Sequence, residues 1–87
     1  MYVLLVYDVE QARVTRVCKF LRRYLNWVQN SVFEGALTEV KLMEVKRGLK
    51  ELINPEMDSI YLYRVRDEKW VDKEILGVER NPTDPFI

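Results

Sequence analysis

Residues 2–8, YVLLVYD, are apolar or aromatic at every position but the last. An unbroken run of that length predicts a strand covered on at least one face. From residue 11 the period changes. Val14, Val17, Cys18, Leu21 and Leu25 recur at helical spacing and predict an amphipathic helix over residues 11–25, with Arg16, Lys19, Arg22 and Arg23 on its other face. Residues 27–37, WVQNSVFEGAL, return to alternation: Val28, Asn30, Val32 and Glu34 on one side, Trp27, Gln29, Ser31 and Phe33 on the other. Their polar Gln-Asn-Ser centre either bends one strand or divides it into two. Thr38 is placed to N-cap a second helix whose buried stripe is Leu42, Val45, Leu49, Leu52 and Ile53, and Asn54-Pro55 ends it. SIYLYRVR, residues 59–66, predicts a strand with Tyr61, Tyr63 and Val65 facing one way and Ile60 and Leu62 the other. A polar connection leads to a last short strand, EILGVE, at residues 74–79. The tail NPTDPFI carries two prolines, yet ends on Phe86 and Ile87, an apolar end expected to dock on another subunit.

Two helices and four or five strands in this order predict one domain over residues 1–87. Its class is α+β, a ferredoxin-like sandwich with an antiparallel sheet and both helices on one face. The other sheet face is left for a second copy. A chain of 87 residues buries only about 60 to 65% of its unfolded surface, and with 48% hydrophobic residues a homodimer is expected.

Charge and composition narrow the chemistry. With 14 basic and 14 acidic residues there is no global field toward nucleic acid or anionic lipid, so any such binding must be local. The single cysteine, Cys18, excludes an internal disulfide and suits a reducing compartment. No apolar stretch approaches the roughly 20 residues of a membrane span, and the start lacks a signal peptide's basic region. A cytoplasmic location without a membrane partner is expected. Histidine is absent, which excludes imidazole acid–base catalysis, Ser-His-Asp and Cys-His hydrolases and ordinary zinc sites. Catalysis would rest on carboxylates with a hard metal ion, or on Tyr, Lys and Arg.

Asp8 then has two readings: a turn carboxylate that ends the strand and caps the following helix, or a ligand for Mg²⁺, which often takes only one or two protein carboxylates. The row Arg16, Lys19, Arg22 and Arg23, with Arg13 at its border, reads either as a solvated helix exterior or as a seat for a phosphodiester backbone. Phe33 reads as core or interface. Gly35, Gly48 and Gly77 form no phosphate-binding loop.

Several strings carry a resemblance. The strand ending Tyr7-Asp8, the R-V-x-x-F-L of Arg16–Leu21, V-Q-N-S-V-F-E-G at Val28–Gly35 and the D-P ending at Asp84–Ile87 resemble the small CRISPR-associated endoribonuclease family of the spacer-acquisition machinery. The likeness runs nearly end to end, and V-Q-N-S-V-F-E-G is its most specific element. It implies a ferredoxin-like homodimer packed sheet to sheet, with C-terminal segments extending the partner's sheet. It implies metal-dependent cleavage of single-stranded RNA or of DNA, with Asp8 from both subunits flanking one Mg²⁺ and Arg16 assisting. Tyr7, Ser31 and Phe33 match positions tied to the site or its rim, Arg13 lies near a second basic position, and Lys19 and Arg23 extend the nucleic-acid surface. Where some members carry an arginine before the V-Q pair, this chain has Trp27. Three function classes stay open: the nuclease, a non-catalytic dimeric adaptor bridging the CRISPR integrase and protospacer DNA, and a toxin-like RNA-cleaving relative outside any CRISPR locus.

Overall fold

The computed structural model describes residues 1–81. In chain order the elements are β1 (Tyr2–Asp8), α1 (Gln11–Leu21), β2 (Asn26–Gln29), β3 (Val32–Ala36), α2 (Glu39–Leu52) and β4 (Ser59–Val65), followed by one 3-10 turn at Glu68–Trp70. The strands lie in the order β2-β3-β1-β4, every neighbouring pair antiparallel. Two β-α-β crossovers are thus interleaved, β3 lying between β1 and β2, and β1 between β3 and β4. This is the expected α+β, ferredoxin-like arrangement. The usual handedness of such crossovers puts both helices on one face.

Alternation along β1 sorts the two faces. Val3, Leu5 and Tyr7 point to the helices and are buried, while Tyr2, Leu4, Val6 and Asp8 point to the open face. Val17 and Leu21 of α1 and Leu42, Val45 and Leu49 of α2 close over the first set, with Phe33 of β3 fully buried beside Tyr7. Each such side chain contributes roughly 1.5–3 kcal/mol by leaving water. Thr38 Oγ1 accepts the Lys41 N–H at 3.1 Å, so the expected N-cap of α2 is formed. Where α1 meets α2, the Phe20 ring occupies the space that a Cβ on Gly48 would need.

Three expectations are corrected. The first helix ends at Leu21 instead of 25, because Arg23 N–H and Tyr24 N–H bond to carbonyls three residues back. That tightened turn still keeps Leu25 buried on the same stripe. Residues 27–37 form a hairpin with Asn30 at φ 45 and a bulge between Trp27 and Gln29. Trp27 faces Phe33 as expected, but the bulge sets Gln29 opposite Val32, off Trp27's side.

The third correction concerns residues 74–79, which form no strand. The segment passes over the open face of the sheet, where no strand offers it a ladder. It is anchored there by Lys73 Nζ on Glu34 Oε2 at 2.5 Å and by the Asn81 amide on the Trp27 carbonyl. A cavity of about 910 Å³ remains beneath it, lined by Tyr2, Leu4, Glu34, Tyr63 and Val71 among others. Beyond it, the Asp84–Ile87 ending, with Phe86 and Ile87, lies outside the described residues. No described helix is long and apolar enough to cross a membrane.

Candidate functional site

Asp8 is the last residue of β1 and stands opposite Ser59 at the start of β4. Its side chain is exposed on the open face. Among the described residues it joins no ion pair or side-chain hydrogen bond. It does not cap α1. The N-cap is Glu10, whose own side chain makes no capping bond.

The negative charge beside this helix start comes from across the fold. Asp58 Oδ1 accepts the Glu10 N–H at 2.9 Å and Arg13 Nη2 at 3.0 Å. Its Oδ2 accepts Arg13 Nε at 2.6 Å and the Asn54 N–H at 2.8 Å. The Asp58 side chain is fully buried. Asn54 prepares the approach: its side-chain oxygen accepts the Glu56 N–H at 2.9 Å and its carbonyl the N–H of Asp58 at 2.8 Å, an Asx-turn that folds the chain back. The Arg13 fork holds the Asp58 carboxyl well below the usual carboxylate range, with the Asn54 and Glu10 N–H groups adding to it against the cost of burial. A negative charge in this position also complements the N-terminal end of α1.

Ser31 lies at the same end of the sheet as Asp8, since its carbonyl accepts the Tyr7 N–H at 3.0 Å. Arg16 and Lys19 are exposed on α1. Lys19 and Arg23 fall progressively farther along the helix direction from Asp8. The guanidinium of Arg22 sits 6.0 Å over the Trp27 ring, and that of Arg23 sits 5.8 Å over Tyr24 and 6.0 Å over Phe20. Such stacking is worth about 0.5–1 kcal/mol at exposed sites and leaves the outer edge of each cation toward solvent.

Not all the residues singled out by sequence gather here. Tyr7 and Phe33 are core residues, 7% and 0% exposed, and cannot touch a nucleic-acid strand while the core is closed. The Tyr7 hydroxyl meets Cys18 Sγ at 2.9 Å and the Asn30 carbonyl at 3.5 Å. Burial, with the Cys18 contact, pushes this phenol up to about 12, against a lowering pull from Arg22. Arg13 is committed to Asp58. The sequence reading missed Asp58 itself, and also Glu34, nearly buried on the open face under Lys73. Burial and the Glu34 charge push the Tyr2 phenol up to about 12 as well.

For a metal ion, the described residues offer no cluster of three or more Cys, Asp or Glu side chains. Asp8 alone fits. It is an oxygen donor, exposed and uncommitted, and suits a hydrated Mg²⁺ that takes one or two protein carboxylates and keeps several waters.

Residues 1–73 match the family model described as CRISPR associated protein Cas2. A protein of Archaeoglobus fulgidus named CRISPR-associated endoribonuclease Cas2 2 is 53% identical over 91% of this chain and 86% of its own length. The CRISPR-associated endoribonuclease Cas2 of Thermococcus kodakarensis is 47% identical over the whole of both chains. A crystal structure described as that of Cas2 superposes with a TM-score of 0.86 at 42% identity, covering 97% of this chain and 94% of the other. Sequence and fold therefore agree, and the chain belongs to the CRISPR-associated Cas2 family.

Proposed function

We propose that this protein is a magnesium-dependent endoribonuclease that cuts single-stranded RNA as a homodimer. The observation that carries the reading is Asp8, an uncommitted carboxylate exposed at a strand end on the open sheet face. The names of the relatives, which call them endoribonucleases, support the choice of RNA.

The open face supports the dimer. It exposes Tyr61, Tyr63 and part of Leu4, apolar surface that a second copy would cover. In a two-fold pair, equivalent residues approach across the axis, so two Asp8 carboxylates can converge where one chain supplies one. Residues 74–79 have strand composition but no ladder among the described residues, which supports their passage to the partner's sheet.

A magnesium ion at Asp8 would neutralise phosphate charge and make a water nucleophilic near neutral pH. Asp8 would hold that ion from the end of β1, where the ladder pairs it with Ser59. Arg16 offers the planar donor fork that matches a phosphate, and Ser31 places a hydroxyl-bearing residue at the same end of the sheet. With no histidine in the chain, proton movement falls to the carboxylate and to solvent. Slow turnover follows. The exposed cations Arg16, Lys19 and Arg23 also support a place in the spacer-acquisition assembly, beside the integrase and protospacer DNA.

The test is Asp8→Asn in the purified protein. Cleavage of single-stranded RNA with Mg²⁺ should fall on the order of 100-fold or more, a loss of several kcal/mol of transition-state stabilisation. Its mass in solution and its melting curve should match the parent's. A variant that cuts as fast as the parent would move the site elsewhere.

A further inference from the structure

Asp8 has no side-chain partner among the described residues, so its aim depends on the backbone to either side of it. On one side is the β1–β4 ladder, where Asp8 faces Ser59. On the other are Val9 and Glu10, a two-residue link into α1. Asp58 adjoins both. It directly precedes Ser59, and its carboxylate accepts the Glu10 N–H at 2.9 Å. The same carboxylate grips Arg13 in the first turn of α1 and Asn54 in the loop before β4. Four donors from three segments converge on one side chain with no exposed surface.

We infer that Asp58 is a positioning residue for the Asp8 site: it fixes the link Val9–Glu10 and the opening of β4, and so sets where the Asp8 carboxylate points. The inference rests on the reading of Asp8 as the metal-holding residue. The physical reason is asymmetry of donors and acceptors. Every group facing Asp58 is a donor, so a carboxylate with two accepting oxygens satisfies all four. An asparagine of the same size turns an NH₂ toward N–H groups and leaves the Arg13 guanidinium beside a neutral amide. The Glu10 N–H then loses its partner or shares it, and the link loosens. Small misplacements at a reacting centre cost rate out of proportion to their size.

The experiment compares the full-length parent with Asp58→Asn, and with Leu42→Ala as a core variant weakened away from this link. Four quantities are read below the melting temperature of each: the rate constant at saturating RNA, KM for the RNA, Mn²⁺ affinity by electron paramagnetic resonance, and hydrogen exchange at the Glu10 amide. For Asp58→Asn the rate should fall about tenfold, Mn²⁺ binding should weaken several-fold and Glu10 exchange should quicken, with KM within about twofold of the parent. Leu42→Ala should keep the parental rate and Mn²⁺ affinity. If Asp58→Asn is less stable but keeps both, Asp58 merely holds the fold together and the inference is overturned. Should Asp58→Asn not fold, Arg13→Gln, which spares the two backbone donors, is judged by the same readouts. A parent that neither cuts RNA nor binds Mn²⁺ overturns the Asp8 reading and this inference together. A parent that binds and cuts beside an unaffected Asp58→Asn overturns the inference alone.

Discussion

Arg13 and Asp58, 45 residues apart in the chain, meet at 2.6 Å and lock the start of α1 to the start of β4. The pair makes the fold acid-sensitive in a defined direction. The folded-state pKa of Asp58 lies below that of an unfolded aspartate, near 3.9. Its stabilisation is therefore whole above about pH 4 and drains away as pH falls below that value. Denaturant melts of the parent should weaken below pH 4. In Asp58→Asn, stability at pH 7 should be lower by several degrees of melting temperature, and the aspartate's share of the acid loss should vanish.

At the alkaline end the sign reverses. Tyr7 is raised from 10 to about 12, so the folded state prefers the neutral phenol. Its contribution is complete below pH 10 and is lost as pH climbs toward 12. Tyrosinate absorbance should show Tyr7 titrating late. Tyr7→Phe should flatten this part of the stability profile and cost about 0.5–1.5 kcal/mol at neutral pH for the lost hydrogen bond.

Gly48→Ala tests the helix contact. Alanine favours a helix interior over glycine by about 1 kcal/mol. At this site the new Cβ would lie 2.6 Å from Phe20 Cε1 and closer still to Cζ. The ring also packs on Tyr24 with centroids 5.2 Å apart, so it cannot swing away freely. Overpacking of roughly 1–3 kcal/mol should outweigh the propensity gain, and urea melts should show a net loss. A stabilised variant would mean the ring has somewhere to go.

Replacing Arg16, Lys19 and Arg23 by alanine should weaken binding to single-stranded RNA at all sequences alike. Each lost phosphate contact should reduce the slope of log K against log salt by about 0.7. Binding titrations over a range of salt concentrations measure that slope, and an unchanged slope would remove these three residues from the interface.

How much of this was legible in the sequence depends on how far each signal reached. The run Tyr2–Asp8 and the helical stripe from Leu42 to Leu52 are local patterns, and both elements formed where their periods placed them. The Thr38 cap was equally local. Asp58 was not legible, because its partners Glu10 and Arg13 lie 48 and 45 residues away and its neighbours Met57 and Ser59 are exposed. In sequence it is one more polar residue in a turn. Asp58, not Asp8, supplies the negative charge beside the start of α1, through the Glu10 N–H and the Arg13 side chain. Residues 74–79 mislead for a related reason: composition marks a segment as able to form a strand, but only a free neighbouring edge makes it one. Phe33 shows two kinds of reading diverging. Alternation read it as core or interface, and it lies in the core, whereas the family likeness placed it at the site or its rim.

The segment that crosses the sheet leaves Leu76 88% exposed and Val78 72% exposed. A lone copy is thus sticky along one strip, and stickiness of that kind invites chaperones, proteases and clumping. If the proposed pairing hides the strip, the lifetime of each copy in the cell would be tied to how quickly it finds its mate.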